Sequence, residues 1–262
     1  MRIRQHPLPM RAHFTDSLVL TYAFPPHVLR PLLTPGLELD TYRAPDGTEH
    51  GFAAVAAVSL RALRPAFLAP SLGADQVMTG YRVFARLPVE RTATDGTRTL
   101  RGLRILRSQT SSPLLAAAGT LLTRYGYERA TLGTRRVGDR LEVAVRSPDG
   151  RADLRVGAAL DTGTAPLPDG SPFATLRDAR RFAGPLPYTF EHDPRSGGVL
   201  VVKALRTSWE PRPVAVDVER LTFFRHGPFH GTEPVLANAF HVADVDYGWH
   251  PGRLVTPAGA RG

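Results

Sequence analysis

Apolar and polar positions alternate in short runs along this chain, and tight-turn dipeptides separate the runs. Asp46-Gly47, Asp95-Gly96, Gly138-Asp139, Asp149-Gly150 and Gly197-Gly198 each lie between two stretches of strand character. Such pairs supply the positive φ angles that tight hairpins need. The pattern predicts strands over 52–60, 81–90, 99–109, 140–146, 152–159, 199–209 and 214–224. Helices are few. One is expected over 26–33, with Leu29, Leu32 and Leu33 on one side, and an arginine-rich amphipathic one over 173–182. The third, over 112–124, has the clearest start: Ser111 or Ser112 can cap it and Pro113 suits its first turn. Its body is small and apolar, so it is expected to be buried. The fold class is therefore α+β, mostly antiparallel, with a few packed helices. No repeat and no serine- or glycine-rich linker interrupts residues 1–262, so a single domain is expected.

Composition narrows the function classes. Hydrophobic residues make up 42% of the 262 positions, enough for a sizeable core. No apolar run approaches the ~18 residues of a membrane span, and the N-terminus lacks a signal-peptide stretch; a cytoplasmic location is the expectation. Cysteine is absent, which removes disulfides and thiolate chemistry. The net charge of +9 raises nucleic acid as a partner. The arginines are scattered, however, and no nucleic-acid-binding motif appears, so that partner is not expected. Lys203 is the only lysine.

Four segments carry a family resemblance. They are the strand-to-helix stretch 98–125 and Tyr22-Ala-Phe-Pro-Pro-His-Val-Leu-Arg-Pro-Leu-Leu-Thr-Pro-Gly-Leu-Glu-Leu-Asp40, then Ser208-Trp-Glu-Pro-Arg-Pro-Val-Ala-Val-Asp217 and Val235-Leu-Ala-Asn-Ala-Phe-His-Val-Ala-Asp-Val-Asp-Tyr247. In this order they resemble the YqjF-like family, a domain-of-unknown-function family placed beside acetoacetate decarboxylase in one superfamily. The resemblance implies antiparallel strands wrapped into a cone or partial barrel, with a small-ligand cavity closed by a helix. The helix at 112–124 is the candidate cover. In the decarboxylase branch a lysine after that helix forms an imine with a keto acid. Here the region reads Arg124-Tyr-Gly-Tyr-Glu-Arg-Ala-Thr131, and its nearest counterparts, Glu128 and Arg129, cannot form one. Imine-based acetoacetate decarboxylation is not expected. The family's strand around 76–82 often carries Asn-x-Arg, and its Arg position here is Thr79.

Candidate chemistry gathers around the 98–125 segment. Arg101, Leu103, Ile105 and Arg107 share one face of the strand, and Gly102, Arg104, Leu106 and Ser108 the other, so either inward face carries an arginine. A cavity arginine can hold a carboxylate or enolate oxygen; alternatively, it forms a structural ion pair with an acid such as Glu90 or Asp217. Glu128, Arg104 and Lys203 are the candidate catalytic residues. Gln76, Tyr81, Arg107, Ser108, Tyr125, Tyr127 and Trp209 are the candidate substrate-binding residues. Lys203 is either a desolvated amine or a surface lysine covering apolar surface with its stem. His226 and His230 have metal-like spacing, but the intervening Gly-Pro makes a loop, so no metal is expected.

The expected function is a cofactor-free enzyme of lyase, isomerase or cyclase type, acting on a small carbonyl or enolisable compound. The alternatives are a non-catalytic small-molecule binder using the same cavity and an amine-catalysed enzyme using Lys203. The expected partner is a small organic molecule, with further copies of the chain left open.

Overall fold

The computed structural model describes residues 5–90, 97–160, 163, 165–206 and 208–258; the Asp95-Gly96 turn and the Glu90 side chain lie outside what it describes. In chain order the elements are β1 (Met10–Phe24), α1 (Pro26–Leu29), β2 (Glu38–Leu39), β3 (Thr41–Arg43), β4 (Glu49–Pro65), β5 (Ala74–Glu90), β6 (Thr97–Thr110), α2 (Pro113–Leu122), β7 (Tyr127–Arg129), β8 (Thr131–Val137), β9 (Arg140–Arg146), β10 (Leu154–Ala159), α3 (Leu176–Ala183), β11 (Tyr188–Asp193), β12 (Gly198–Arg206), β13 (Arg212–Pro213), β14 (Ala215–Leu221), β15 (Val235–Trp249) and β16 (Arg253–Val255). Among the described residues no helix is long and apolar enough to cross a membrane.

The larger sheet runs β13-β15-β1-β4-β5-β6-β11-β12-β16, and β12 pairs back onto β15. That last pairing joins Ala204, Leu205 and Arg206 to Trp249, Gly248 and Tyr247. It curls the strands from β15 round to β12 into a partial ring. Register shifts in β1–β4, β4–β5 and β5–β6 supply the bends, because each extra residue kinks its strand and increases the local twist. All neighbours round the ring are antiparallel except β6 and β11, which run parallel.

A second, four-stranded sheet, β14-β10-β9-β8, lies against the outside of β1, β4 and β5. Leu18, Leu20, Val55, Tyr81 and Val83 pack there with Leu141, Val143, Leu154 and Val156. Each such buried aliphatic side chain is worth roughly 1.5–3 kcal/mol. Strands β1, β4 and β5 are thus covered outside by this sheet and line the ring inside. That is why 53–58 reads as an unbroken apolar run, buried throughout.

Two sequence expectations change. The longest antiparallel partners at the two ends of the chain, β1 and β15, were not among the predicted strands. Polar residues such as Asp16, Ser17, Asn238 and His241 break their alternation, and the two pair across more than 200 positions. The helix predicted over 112–124 forms over a shorter span, and it is not buried. Ser112 Oγ accepts from the Leu115 N–H at 3.2 Å, as capping requires. Only Gly119 is buried, however, and Leu114 is 79% exposed. α2 is a lid with an open outer face.

Candidate functional site

The inner face of the ring and the underside of α2 bound a cavity of about 450 Å³. Its floor is set by strand parity. Ala54, Ala56, Val58 and Leu60 come from β4, and Gln76, Met78, Gly80, Arg82 and Phe84 from β5. Leu115, Ala118 and Leu122 of α2 close the top. Tyr125 and Tyr127, just after the lid, line one side, with Trp209, Tyr247 and Trp249 also on the wall. Gly119 lets the lid lie close, since a Cβ there would run into the Tyr127 ring. Thr120 Oγ1 donates to the Tyr127 carbonyl at 3.0 Å, and the Tyr125 hydroxyl meets Thr189 Oγ1 at 2.7 Å. These bonds tie the lid and the following loop to the ring.

The arginines of β6 are sorted by one bulge. Tyr81 pairs with Arg107 but Arg82 pairs with Ile105, so Leu106 is the extra residue. Leu103 and Ile105 line the cavity before the bulge and Ser108 after it. Arg107, which by strict alternation would follow Ile105 inward, is turned to the other side. There Arg107 Nε and an Nη donate to Glu128 at 2.6 and 2.8 Å, and the same Nη donates to Asp149 at 2.9 Å. Gln109 adds a bond from its Nε2 to Glu128 at 2.8 Å.

Arg82 is the opposite case. It lines the cavity, and among the described residues it makes no hydrogen bond or ion pair; its Nε is buried and unpartnered. Burial lowers its pKa, and its titratable neighbours are Tyr247, Tyr127 and Tyr125 rather than any carboxylate. A guanidinium stays protonated even so. Burial pushes the Tyr125 and Tyr247 phenols up and Tyr127 up to about 12, so all three remain neutral hydroxyls. Gly80 makes room on the same face: a Cβ there would lie 3.4 Å from Arg82 Nε. Two further cavity residues carry unpartnered buried nitrogens, His6 at Nδ1 and Trp209 at Nε1. Arg206, also on the wall, is already engaged: it donates to the Pro185 carbonyl at 3.0 Å and lies over the Trp209 ring.

The structure therefore brings Gln76, Ser108, Tyr125, Tyr127 and Trp209 to one cavity and places the other sequence candidates elsewhere. Tyr81 faces the sandwich, stacked on Phe223 at 4.0 Å with its hydroxyl donating to the Ala152 carbonyl. Arg107 and Glu128 neutralise each other outside the cavity. Arg104, on the face opposite Leu103 and Ile105, donates to the Leu32 carbonyl. Lys203 is exposed and does not line the cavity, so it is a surface lysine rather than a desolvated amine. Arg82, His6, Arg206, Tyr247 and Trp249 went unnoticed in the sequence. One signal could have found Arg82: it shares strand parity with Gln76, six residues before it. Among the described residues no cluster of His, Asp and Glu converges as a metal site.

Comparison with known proteins fits this geometry. The DUF2071 family model, described as an uncharacterized conserved protein, matches residues 11–244. Comparison with curated proteins by sequence finds no match. Among solved structures, an acetoacetate decarboxylase from Legionella pneumophila is 14% identical, with a TM-score of 0.59 over 97% of this chain and 90% of its own. The enduracididine biosynthesis enzyme MppR complexed with pyruvate is 14% identical, with a TM-score of 0.55 over 96% of this chain and 91% of its own. An acetoacetate decarboxylase-like enzyme from Sphingomonas wittichii is 15% identical, with a TM-score of 0.55 over 97% of this chain and 94% of its own. The shared property is the fold: α+β, mostly antiparallel and acetoacetate decarboxylase-like.

Proposed function

The chain belongs to the DUF2071 family, and from that premise we propose that it is a cofactor-free enzyme acting on a small carbonyl compound that carries a carboxylate or forms an enolate. The observation that carries this is Arg82, a charged guanidinium with no protein partner among the described residues, in a cavity walled mainly by apolar and aromatic side chains. A desolvated, unpaired charge costs several kcal/mol. A ligand anion would supply the missing partner through charge-assisted, two-pronged bonds. The neutral tyrosine hydroxyls beside it can donate to oxygen charge as an enolate develops. The structural neighbours include an acetoacetate decarboxylase and an enzyme complexed with pyruvate, which is consistent with a carbonyl carboxylate as ligand. The imine route of a decarboxylase has no amine here, because the only lysine is exposed.

A second reading, a non-catalytic binder, is favoured by one feature: no carboxylate lines the cavity among the described residues. One probe separates the two. Phenylpyruvate has a carboxylate, an enolisable ketone and an apolar body. Calorimetric titration should show binding to the wild type and about 100-fold weaker binding to Arg82→Met, the scale of a lost charge-assisted pair. Equal binding by both would overturn the Arg82 assignment. Binding without any exchange of the benzylic protons in D2O would support the binder.

A further inference from the structure

The chain segment before β1 passes beneath the C-terminal end of α2 and is pinned there. The His6 N–H donates to the Leu122 carbonyl at 2.9 Å, and the His6 carbonyl accepts from the Gly252 N–H at 2.9 Å. Beside it, Gln5 Nε2 donates to Asp193 at 3.3 Å. These bonds hold His6 at a φ of 51°. A residue with a side chain reaches that region only where its surroundings over-determine it, and such residues collect at functional sites. His6 is 9% exposed and lines the cavity, and its ring centroid sits 5.9 Å from that of Tyr125. Its Nδ1 is buried with no partner among the described residues. Arg82 and the tyrosines can bind and stabilise an anion, but none of them is a base at neutral pH.

We propose that His6 is the base of this cavity, taking the α-proton of a carbonyl carboxylate held on Arg82. The assignment rests on the carboxylate-binding role of Arg82. In the step, the α-carbon–hydrogen bond breaks and the proton goes to the imidazole nitrogen. The electron pair becomes a carbon–carbon double bond, and the carbonyl π pair moves onto oxygen as an enolate. Return of a proton that has exchanged with solvent restores the ketone, so no oxidant or reductant takes part. Burial lowers the His6 pKa, which leaves the ring neutral and able to accept a proton at physiological pH. The titratable group beside it is the Tyr125 phenol; its chain neighbour Gln5 bonds Asp193, which pairs with Arg124 at 2.6 Å, and the cations Arg82 and Arg206 line the same cavity.

The test follows deuterium exchange at the benzylic carbon of phenylpyruvate by NMR, with the full chain in D2O. His6→Asn is the first variant, because asparagine tolerates a left-handed backbone. Exchange should fall about 100-fold or more, the usual contribution of a general base, while the Kd for phenylpyruvate changes by less than about threefold. His6→Gly should regain part of the rate on addition of imidazole. The wild-type rate should rise through a pKa below 6.5 and level off above it. A rate that does not vary between about pH 5 and pH 8 would overturn the proposal without any variant. Unchanged exchange in a folded His6→Asn protein would overturn His6 and leave Arg82 standing, as would wild-type binding without exchange. Failure of the wild type to bind phenylpyruvate would remove both assignments.

Discussion

Arg82 and Arg107 sit almost opposite each other on adjacent strands, and the protein treats them in contrary ways. Arg107 is held by Glu128 and Asp149 through three bonds of 2.6 to 2.9 Å. Burial opposes its charge, but those bonds win and its pKa is raised. Arg82 is buried among tyrosines and has no such partner among the described residues. The first arginine is structural: its charge is spent inside the protein, fastening β7 and the 147–151 turn to β6. The second keeps its charge without a protein partner among the described residues. What separates them is a single bulged residue, Leu106, which sends Arg107 outward and leaves Ile105 and Ser108 on the cavity wall. Charge type alone does not tell the two arginines apart; the presence of a partner does.

Three experiments sharpen or break this contrast. The largest effect is expected at Glu191, an unpaired charge of the other sign. It is buried, has one unpartnered oxygen, and is pushed up to about 7 by desolvation, with Arg104 and Arg124 pulling against the shift. A carboxyl whose folded pKa is raised stabilises the fold fully below its unfolded value of 4.5. That contribution is lost as pH climbs through about 7. Glu191→Gln should therefore gain about 3 kcal/mol over the wild type at pH 8 and little at pH 4, read from urea denaturation at both values. A gain that did not depend on pH would contradict the assignment. Next, Arg107→Met should cost about 2 kcal/mol by leaving Glu128 without its main partner, whereas Arg82→Met should cost nothing or stabilise slightly. Equal losses at both positions would erase the distinction between the two arginines. The smallest effect belongs to Lys203→Arg, expected within about 0.5 kcal/mol of the wild type with unchanged exchange of phenylpyruvate protons. A folded Lys203→Arg protein without turnover would move the chemistry from the cavity to β12.

Much of the fold was legible in the sequence because it depends on local signals. Turn dipeptides mark where strands end, and the strand over 140–146 forms with the bounds its alternation predicts. Ser112 and Pro113 start α2 where capping chemistry puts it. The four family segments imply the antiparallel cone. The single lysine, outside the stretch after the covering helix, already argued against an imine. Five of the seven candidate binding residues line the cavity, and for Tyr125 and Tyr127 the reason is local: tyrosines after a covering helix lie near what the helix covers.

The rest needed the tertiary structure. Alternation divides a strand into two faces but does not say which faces a cavity and which faces a second sheet, so Tyr81 was chosen and its neighbour Arg82 passed over. A bulge inverts parity and leaves no clear trace in the hydrophobic pattern, so the side of Arg107 could not be read from spacing. The exposure of α2 depends on what lies above it, not on its own apolar content. The pairing of β1 with β15, and the placement of His6 under Leu122 and Gly252, join positions far apart in the chain; local propensity carries no information about such contacts. The sequence by itself determined most of the elements, the family and the lack of a lysine in the stretch after the covering helix. Only the folded chain decided which charges meet a partner and which do not, because that depends on long-range register and burial.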